Sequence, residues 1–364
     1  MHLTLEGCKK RQELFRTEMV RLEIQTAIVS ARENIYYLSG YLAPPFFDTA
    51  LVFEAHGESV IFGQITDKPP AIDRLIPFES QRLATLRLDQ SAGICEAVRR
   101  ELGVPRGKLG CDYAGSSLHI GSASDDRIAD LDPVFWRLRR RKHDDELALI
   151  NKAVSITAAC YRKAFEIIAP GISELEVFAE LRKTAVLEAG EELTTFRTGD
   201  YQCGTPGGAP RAREARSGEL YILDIGLAYR GYWADNCRTF PVDRSLTPEQ
   251  ERAFGRVEEA LSFVESEARA GVSCRTLYEE VSTMLAEAKP ARFSHHLGHG
   301  FGLSVHERPK LNPHWDHYLA AGDCIAVEPG LYHEMLAGGL RLEQDYLVTE
   351  TGVDRLTSFP LRFS

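Results

Sequence analysis

Apolar and polar positions alternate along this chain in two distinct styles, and the change between them divides it. Near the start, residues 9–22 repeat apolar positions at helical spacing and predict an opening helix. The segments IQTAIVS (24–30) and DTALVFEAHGESVIFG (48–63) are β-branched and partly alternating, which predicts strands, the second broken by a turn at His56-Gly57. Between them, ENIYYLSGYLAPPFF (33–47) is rich in aromatics and proline and reads as a loop or rim. SAGICEAVRREL (91–102) reads as a helix, KLGCDYA (108–114) as a strand and DDRIADL (125–131) as another helix, so an α/β unit is complete by about Trp136. Then RLRRRKHDDE (137–146), a basic cluster followed by acids, predicts a solvated linker entering a long amphipathic helix. The domain boundary falls at about residue 140, giving segments 1–139 and 140–364. From there the pattern predicts helices at 142–168 and 173–189, strands, helices at 247–270 and 274–287, and strands again. Helix pair, sheet, helix pair, sheet is a duplicated α+β plan, although no sequence repeat stands out.

Composition narrows the function. With 364 residues there is ample material for two cores, and a net charge of -10 argues against a general affinity for nucleic acid or acidic membranes. No apolar run approaches the ~20 residues of a membrane-crossing helix, and the first residues lack the apolar centre of a signal peptide. Eight cysteines lie scattered without a CxxC pair, which is the usage of a reduced, cytoplasmic protein.

The chemistry concentrates in three stretches. Ser294–Glu307, SHHLGHGFGLSVHE, holds four histidines, and Gly298 and Gly300 bracket His299. Glycines there disfavour helix and let the backbone press close to something, while an imidazole with a second one seven residues on, His306, points to a metal ligand and a proton-transfer partner. In LYILDIGLAYRGYWADNCRTF, a hairpin with an even-numbered loop places Asp224 and Asp235 on one face; a two-residue turn at Tyr229-Arg230 would set them directly opposite. In CIAVEPGLYHEMLAGGLRLEQDYLV the same arithmetic puts Glu328 and Glu343 on one face. Four carboxylates in apolar strands need cations, and only Arg238 and Arg341 lie close to them in sequence. Four acids and an imidazole form an oxygen-rich site for two divalent ions, manganese foremost, with cobalt, iron or zinc as alternatives.

Taken together and in order, the motifs LDIG, GHGFGLSVHE, VEPGLY and RLEQD resemble those of the pita-bread metallopeptidases: aminopeptidase P, prolidase, methionine aminopeptidase and the metal-free creatinase. The resemblance spans nearly the whole chain and implies an α+β fold, a creatinase-like α/β domain over 1–139 and a pita-bread catalytic domain over 140–364. It implies Asp224, Asp235, His299, Glu328 and Glu343 as metal ligands, with Asp235 and Glu343 bridging two ions. His306 would contact substrate and assist proton transfer, His295 would face substrate, Arg341 would support the last ligand, and Glu328 would pass a proton to the departing nitrogen.

The implied activity is hydrolysis of an amide or peptide C–N bond of the Xaa-Pro dipeptidase or aminopeptidase type, on a small peptide or small amide. The alternative is a C–N hydrolase acting on a non-peptide metabolite, as creatinase-like and ectoine-hydrolase-like relatives do. A non-enzymatic scaffold is disfavoured, because such members lose ligands and this chain keeps all five. Three positions depart from the pattern: Gly207 where peptidases of the group often have histidine, Cys237 where threonine is frequent, and Arg308 where an aromatic is frequent. Gly207 predicts a roomier, less polar pocket wall. Relatives with this layout form dimers, which implies a homodimer with Tyr36–Phe47 near the partner's metal site.

Overall fold

The computed structural model describes residues 1–65, 67–87, 89–103, 107–112 and 127–362. The chain forms two compact units, Met1–Arg139 and Arg140–Ser364. In the first, α1 (Leu5–Arg21) begins at an N-cap Thr4 whose hydroxyl accepts the Gly7 N–H. It lies against a sheet of β1 (Ile24–Val29), β2 (Ala50–Glu54), β3 (Ser59–Gly63), β4 (Arg74–Pro77), β7 (Lys108–Cys111) and β8 (Ile128–Asp130), in the order β4-β3-β2-β1-β7-β8. A small hairpin, β5 (Gln81–Arg82) and β6 (Thr85–Leu86), stands apart. Phe15 of α1 packs between Phe53 and Phe135, and all three rings are buried.

Three expectations change here. The aromatic stretch expected as a loop contains α2 (Arg32–Ser39), in which Ile35, Tyr36, Tyr37 and Leu38 are buried. Weak helix formers take a helix there because the core covers them, and Gly40 at φ +73 closes it with its N–H on the Tyr36 carbonyl. Within 33–47 only Gly40, Pro44, Pro45 and Phe46 are exposed. The helix expected at 125–131 is instead β8, pairing parallel with β7, followed by α4 (Asp132–Leu138) after α3 (Gln90–Leu102). Asp125 and Asp126 of that expectation, with Tyr113 and Ala114 of the preceding strand, lie outside the described residues. The basic run is not a solvated linker either. Arg137 pairs with Glu18 and Arg139 donates to Asn34 in the first unit. In the second, Arg140 pairs with Asp323, and Lys142, buried, faces Glu307.

The second unit repeats one plan twice. Helices α5 (Asp144–Ile167) and α6 (Glu174–Ala189) precede an antiparallel sheet of β9 (Thr195–Cys203), β10 (Leu220–Tyr229) and β11 (Tyr232–Pro241), ordered β11-β10-β9. Helices α7 (Pro248–Glu267) and α8 (Cys274–Leu285) precede a sheet of β12 (Gly298–Gly300), β13 (Glu307–Leu311), β14 (Cys324–Val327), β17 (Gln344–Val348) and β18 (Val353–Arg355), ordered β13-β12-β14-β17-β18. A ribbon of β15 (Gly330–His333) and β16 (Gly338–Arg341) joins β14 to β17. Leu261, Val264, Leu277 and Val281 of the second helix pair pack with Ile325, Val327 and Tyr346 of that sheet. A repeat invisible at first reading marks both helix joints. Gly171 and Gly271, at φ +94 and +86, each stand two residues before a serine N-cap, Ser173 and Ser273.

Candidate metal centre

The β10–β11 hairpin turns on Arg230 and Gly231, both with positive φ as the tightest two-residue hairpin turns require. The turn sits one residue later than expected. Asp235 therefore faces Gly226 across the ladder and Asp224 faces Cys237, so the two acids are diagonal neighbours rather than direct partners. Their side chains remain on one face, because that parity survives any even loop.

Glu328 and Glu343 lie outside the strands, at the joint where the ribbon leaves the second sheet. Val327 pairs with Gln344 on one side of the joint and Gly330 with Arg341 on the other, so the register runs through and sets the two acids opposite each other. Backbone bonds fix them from both sheets: the Glu328 N–H reaches the Leu297 carbonyl at 2.8 Å, and the Glu343 N–H reaches the Cys237 carbonyl at 3.0 Å.

His299 occupies the middle of β12, between β13 and β14. Its glycine neighbours are required by space. A Cβ on Gly298 would strike the Ala326 carbonyl oxygen, and one on Gly300 would strike that of Arg308. The imidazole Nδ1 contacts the Gly300 carbonyl at 3.1 Å, which makes it the protonated nitrogen and leaves Nε2 facing Glu328 at 3.5 Å and Asp235 at 3.6 Å. The His306 ring stacks on that of His299, 3.6 Å between centroids, and is itself exposed.

Three groups of side chains here offer ligand atoms within 4.8 Å of one another: Asp224, Asp235 and Glu343; His299, Glu328 and Glu343; and Asp235, His299 and His306. Asp235, Glu343 and His299 recur, Asp235 between Asp224 and His299, Glu343 between the hairpin pair and the His299–Glu328 pair, and His299 in both groups of the second sheet. Burial pushes the Asp235 and Glu343 carboxyls well above the usual carboxylate range, and neighbouring acids push them further. Burial also raises Glu328, to about 8, and Asp224, although Arg341 opposes both shifts. His299 is held well below its ordinary value by burial and by His306. Glu343 Oε2 is buried without a hydrogen-bond partner. Oxygen donors with lone pairs unmet, an imidazole kept neutral and too little positive charge nearby fit divalent cations.

The two arginines differ. Arg238 is buried and donates to the carbonyls of Cys237, Glu343 and Pro360 and to Gln344, so it ties strands together and leaves the acid side chains uncompensated. Arg341 faces the cluster: its Nη2 donates to Asp224 and to Asp200, each at 2.5 Å, and its Nη1 to the Tyr332 hydroxyl at 3.3 Å. That hydroxyl also meets His295 Nε2 at 2.8 Å, and burial, with Arg341 nearby, lowers His295 to about 4. His295 thus stands in a hydrogen-bonded chain that runs through Tyr332 and Arg341 to Asp224.

Sequence reading missed three residues. His296 Nδ1 lies 3.4 Å from Glu328 Oε1. Tyr332, inside VEPGLY, received no role. Asp200 was passed over, although a Gly-Asp pair inside a strand signals a bulge. Its carboxylate occupies the space that a Cβ on Gly207 would need, so the wall expected to be roomier and less polar is filled and charged.

Residues 148–350 match metallopeptidase family M24, and residues 11–140 match the creatinase/prolidase N-terminal domain. The chain is 26% identical over 349 residues to the Xaa-Pro dipeptidase of Pyrococcus horikoshii, covering 93% of this chain and 94% of that one. An uncharacterized peptidase of Staphylococcus saprophyticus is 27% identical over 347 residues, 94% and 97% of the two chains. Among solved structures, the Xaa-Pro dipeptidase from Bacillus anthracis superposes with a TM-score of 0.80 at 22% identity, covering 98% of this chain and 99% of that one. The prolidase from Pyrococcus horikoshii gives 0.76 at 23%, over 96% and 99%. At that identity the structural likeness speaks for the fold.

Proposed function

The chain belongs to metallopeptidase family M24 and is a metal-dependent peptidase, and from that premise we propose that it is an Xaa-Pro peptidase whose centre holds two divalent cations. Asp224, Asp235, His299, Glu328 and Glu343 would be the ligands, with Asp235 and Glu343 shared between the ions. The observation that carries this reading is the overlap of the ligand groups at Asp235, Glu343 and His299, of which only the carboxylates can serve two ions, since the His299 Nδ1 is taken by the Gly300 carbonyl. Four carboxylates to one imidazole favour manganese over a thiolate-preferring ion. We assign residues 1–139 to the creatinase-like domain and 140–364 to the pita-bread catalytic domain, in line with the division into units.

Two bound cations would supply Lewis-acid polarisation of the scissile amide. The chain's own residues do the rest. His306, exposed beside His299, donates a hydrogen bond to the substrate carbonyl as negative charge develops there. Glu328, buried among His296, His299 and Arg341, carries a proton to the departing nitrogen. Arg341, Tyr332 and His295 hold Asp224 and the ribbon in place.

A cytoplasmic homodimer completes the reading. All eight cysteines are free thiols, six of them buried, and the tip Pro44–Phe46, with Phe46 70% exposed, offers apolar surface to a second copy near its metal site. Sedimentation at micromolar concentration measures the assembly, and a monomer would remove that part. For the activity, the manganese-loaded protein is assayed against Xaa-Pro dipeptides and longer Xaa-Pro peptides beside creatine and ectoine. Cleavage before proline is expected; a fully loaded protein that cleaves only the two non-peptide substrates would overturn the peptidase reading.

A further inference from the structure

Asp200 is held in the site by three separate features. The first is a bulge in β9. Leu223 pairs with Tyr201 and Ile225 with Thr198, so Gly199 and Asp200 together stand opposite Asp224. An extra residue of this kind re-aims a side chain. The first bulge residue has to be glycine, because a Cβ there would come within 2.7 Å of the Asp224 carboxylate.

The second feature is the loop that follows. The Gly208 N–H donates to Asp200 Oδ1 at 2.6 Å, and Gly207 and Gly208 keep φ of +151 and +130, where a side chain would be strained. Ion pairs pin that loop: Arg211 with the buried Glu174 at 2.6 Å, and Arg213 with Glu219 at 2.5 Å. The third is Arg341, whose Nη2 bonds the Oδ2 atoms of Asp200 and Asp224 alike.

Asp200 is nevertheless in none of the groups that could hold a cation among the described residues. Its side chain is 25% exposed, against 17% for Asp224 and 9% for Asp235 and Glu328. It is therefore the more solvent-facing acid of the cluster, and cations on the inner acids leave its charge uncommitted to metal. Each of its oxygens uses one of two acceptor positions on a protein donor, so acceptor capacity remains.

A peptide cut after its first residue brings a particular group to this place. Its α-ammonium nitrogen is about 2.5 Å from the scissile carbonyl carbon, given ordinary N–Cα and Cα–C lengths. The ammonium must therefore be seated beside the metal cluster.

We propose that Asp200 is a specificity-determining residue that accepts the substrate's α-ammonium group, so that the enzyme selects peptides with a free amino terminus. This rests on the peptidase reading above. The test uses the manganese-loaded full chain and two substrates, an alanyl-prolyl peptide and the propionyl-prolyl peptide that lacks only the amine. Wild type should favour the first by about 10- to 100-fold in kcat/KM, the worth of one charge-assisted hydrogen bond. Asp200→Asn should lose most of that preference, mainly through KM, while kcat/KM on the propionyl peptide stays within about threefold and metal content is unchanged.

Equal losses on both peptides, no preference in wild type, or loss of metal from the variant would overturn the proposal, since each gives Asp200 another role. A binding readout keeps this separate from the activity. Titration calorimetry of the loaded protein with alaninamide and with propionamide measures the ammonium preference without turnover. If no Xaa-Pro peptide is cleaved, the peptidase reading fails, and the calorimetric pair still decides the role of Asp200. Should Asp200→Asn not fold, Gly207→Ala moves the same carboxylate without removing its charge. It should also weaken the preference, and an intact preference there would overturn the proposal.

Discussion

In the first sheet of the catalytic unit, Asp224 and Asp235 stand inside two long, regular strands, and a two-residue turn sets their relation. In the second sheet, His299, Glu328 and Glu343 stand where regularity ends: on a three-residue strand flanked by glycines, and at the joint where a ribbon departs. The same helix-pair-and-sheet plan thus supplies candidate ligands in two ways. Regular strands hold an acid by register, which is hard to shift without moving every side chain to the other face. Interruptions hold a ligand by close backbone approach, which depends on particular glycines. Among the described residues, the ligand groups of the two halves overlap at Asp235, Glu343 and His299, and of these only the two carboxylates have a second oxygen to offer a second ion.

The sharpest way to break that comparison is to remove the shared members. Asp235→Ala and Glu343→Ala should each lose most of both ions, with activity down by at least about a thousandfold, as expected for a lost catalytic metal. Asp224→Ala and Glu328→Ala each remove a member of one group and should retain more metal. Elemental analysis of the four proteins reads this directly; two ions kept by Asp235→Ala or Glu343→Ala would end the assignment of shared ligands.

His306 belongs to the second half, exposed and stacked on His299, and the proposed mechanism gives it a chemical rather than an architectural role. His306→Ala should cut turnover by roughly two to four powers of ten, the range for an oxyanion donor or acid–base group, with metal content near wild type. Wild-type turnover by the variant would remove His306 from the mechanism.

The next expectation concerns pH. Without metal, the folded acids keep protons that their unfolded counterparts release at ordinary carboxylate values, since burial raises Asp224, Asp235 and Glu343 and brings Glu328 to about 8. A folded state that holds more protons than the unfolded one loses stability as pH rises. Below about pH 6.5 the imidazoles of His295, His296 and His299, held below their ordinary value by burial, give the opposite slope, so the metal-free protein should become less thermostable between about pH 7 and pH 8. The loaded protein should show the reverse trend, because cations compete with those protons for the same oxygens and bind more tightly as pH rises. Paired melting curves across this window check both slopes, and a metal-free protein that gains stability across it would contradict the burial argument.

How much of this was legible in the chain follows the same division. Strand parity alone puts Asp224 and Asp235 on one face and misses only the turn, which Gly231 draws one residue later. Gly298 and Gly300 announced a close approach without saying what approached. Asp200 was hidden because a bulge breaks the period of two on which the parity argument depends. In the first unit, α2 was hidden for another reason: its tyrosines favour helix only weakly, and burial against the core decides. Local pattern reveals elements that obey one period, while residues placed by an interruption or by tertiary cover need the fold.

The smallest effect is expected at Cys237, which lies directly across the ladder from Asp224. A sulfur this close to an acid cluster raises the question of a thiolate ligand, which would draw the site toward softer ions. The thiol is fully buried, and burial holds its pKa well above the ordinary range, so it stays protonated and behaves as a small apolar side chain. Cys237→Thr brings a β-branched side chain suited to a strand, plus a hydroxyl with the Asp224 carboxylate opposite to receive it. Stability should change by no more than about 1.5 kcal/mol, as for a near-isosteric buried replacement, with metal stoichiometry unchanged. Loss of one ion from this variant, or thiol alkylation that bound manganese blocks, would make Cys237 a ligand and turn an oxygen-rich centre into a mixed one.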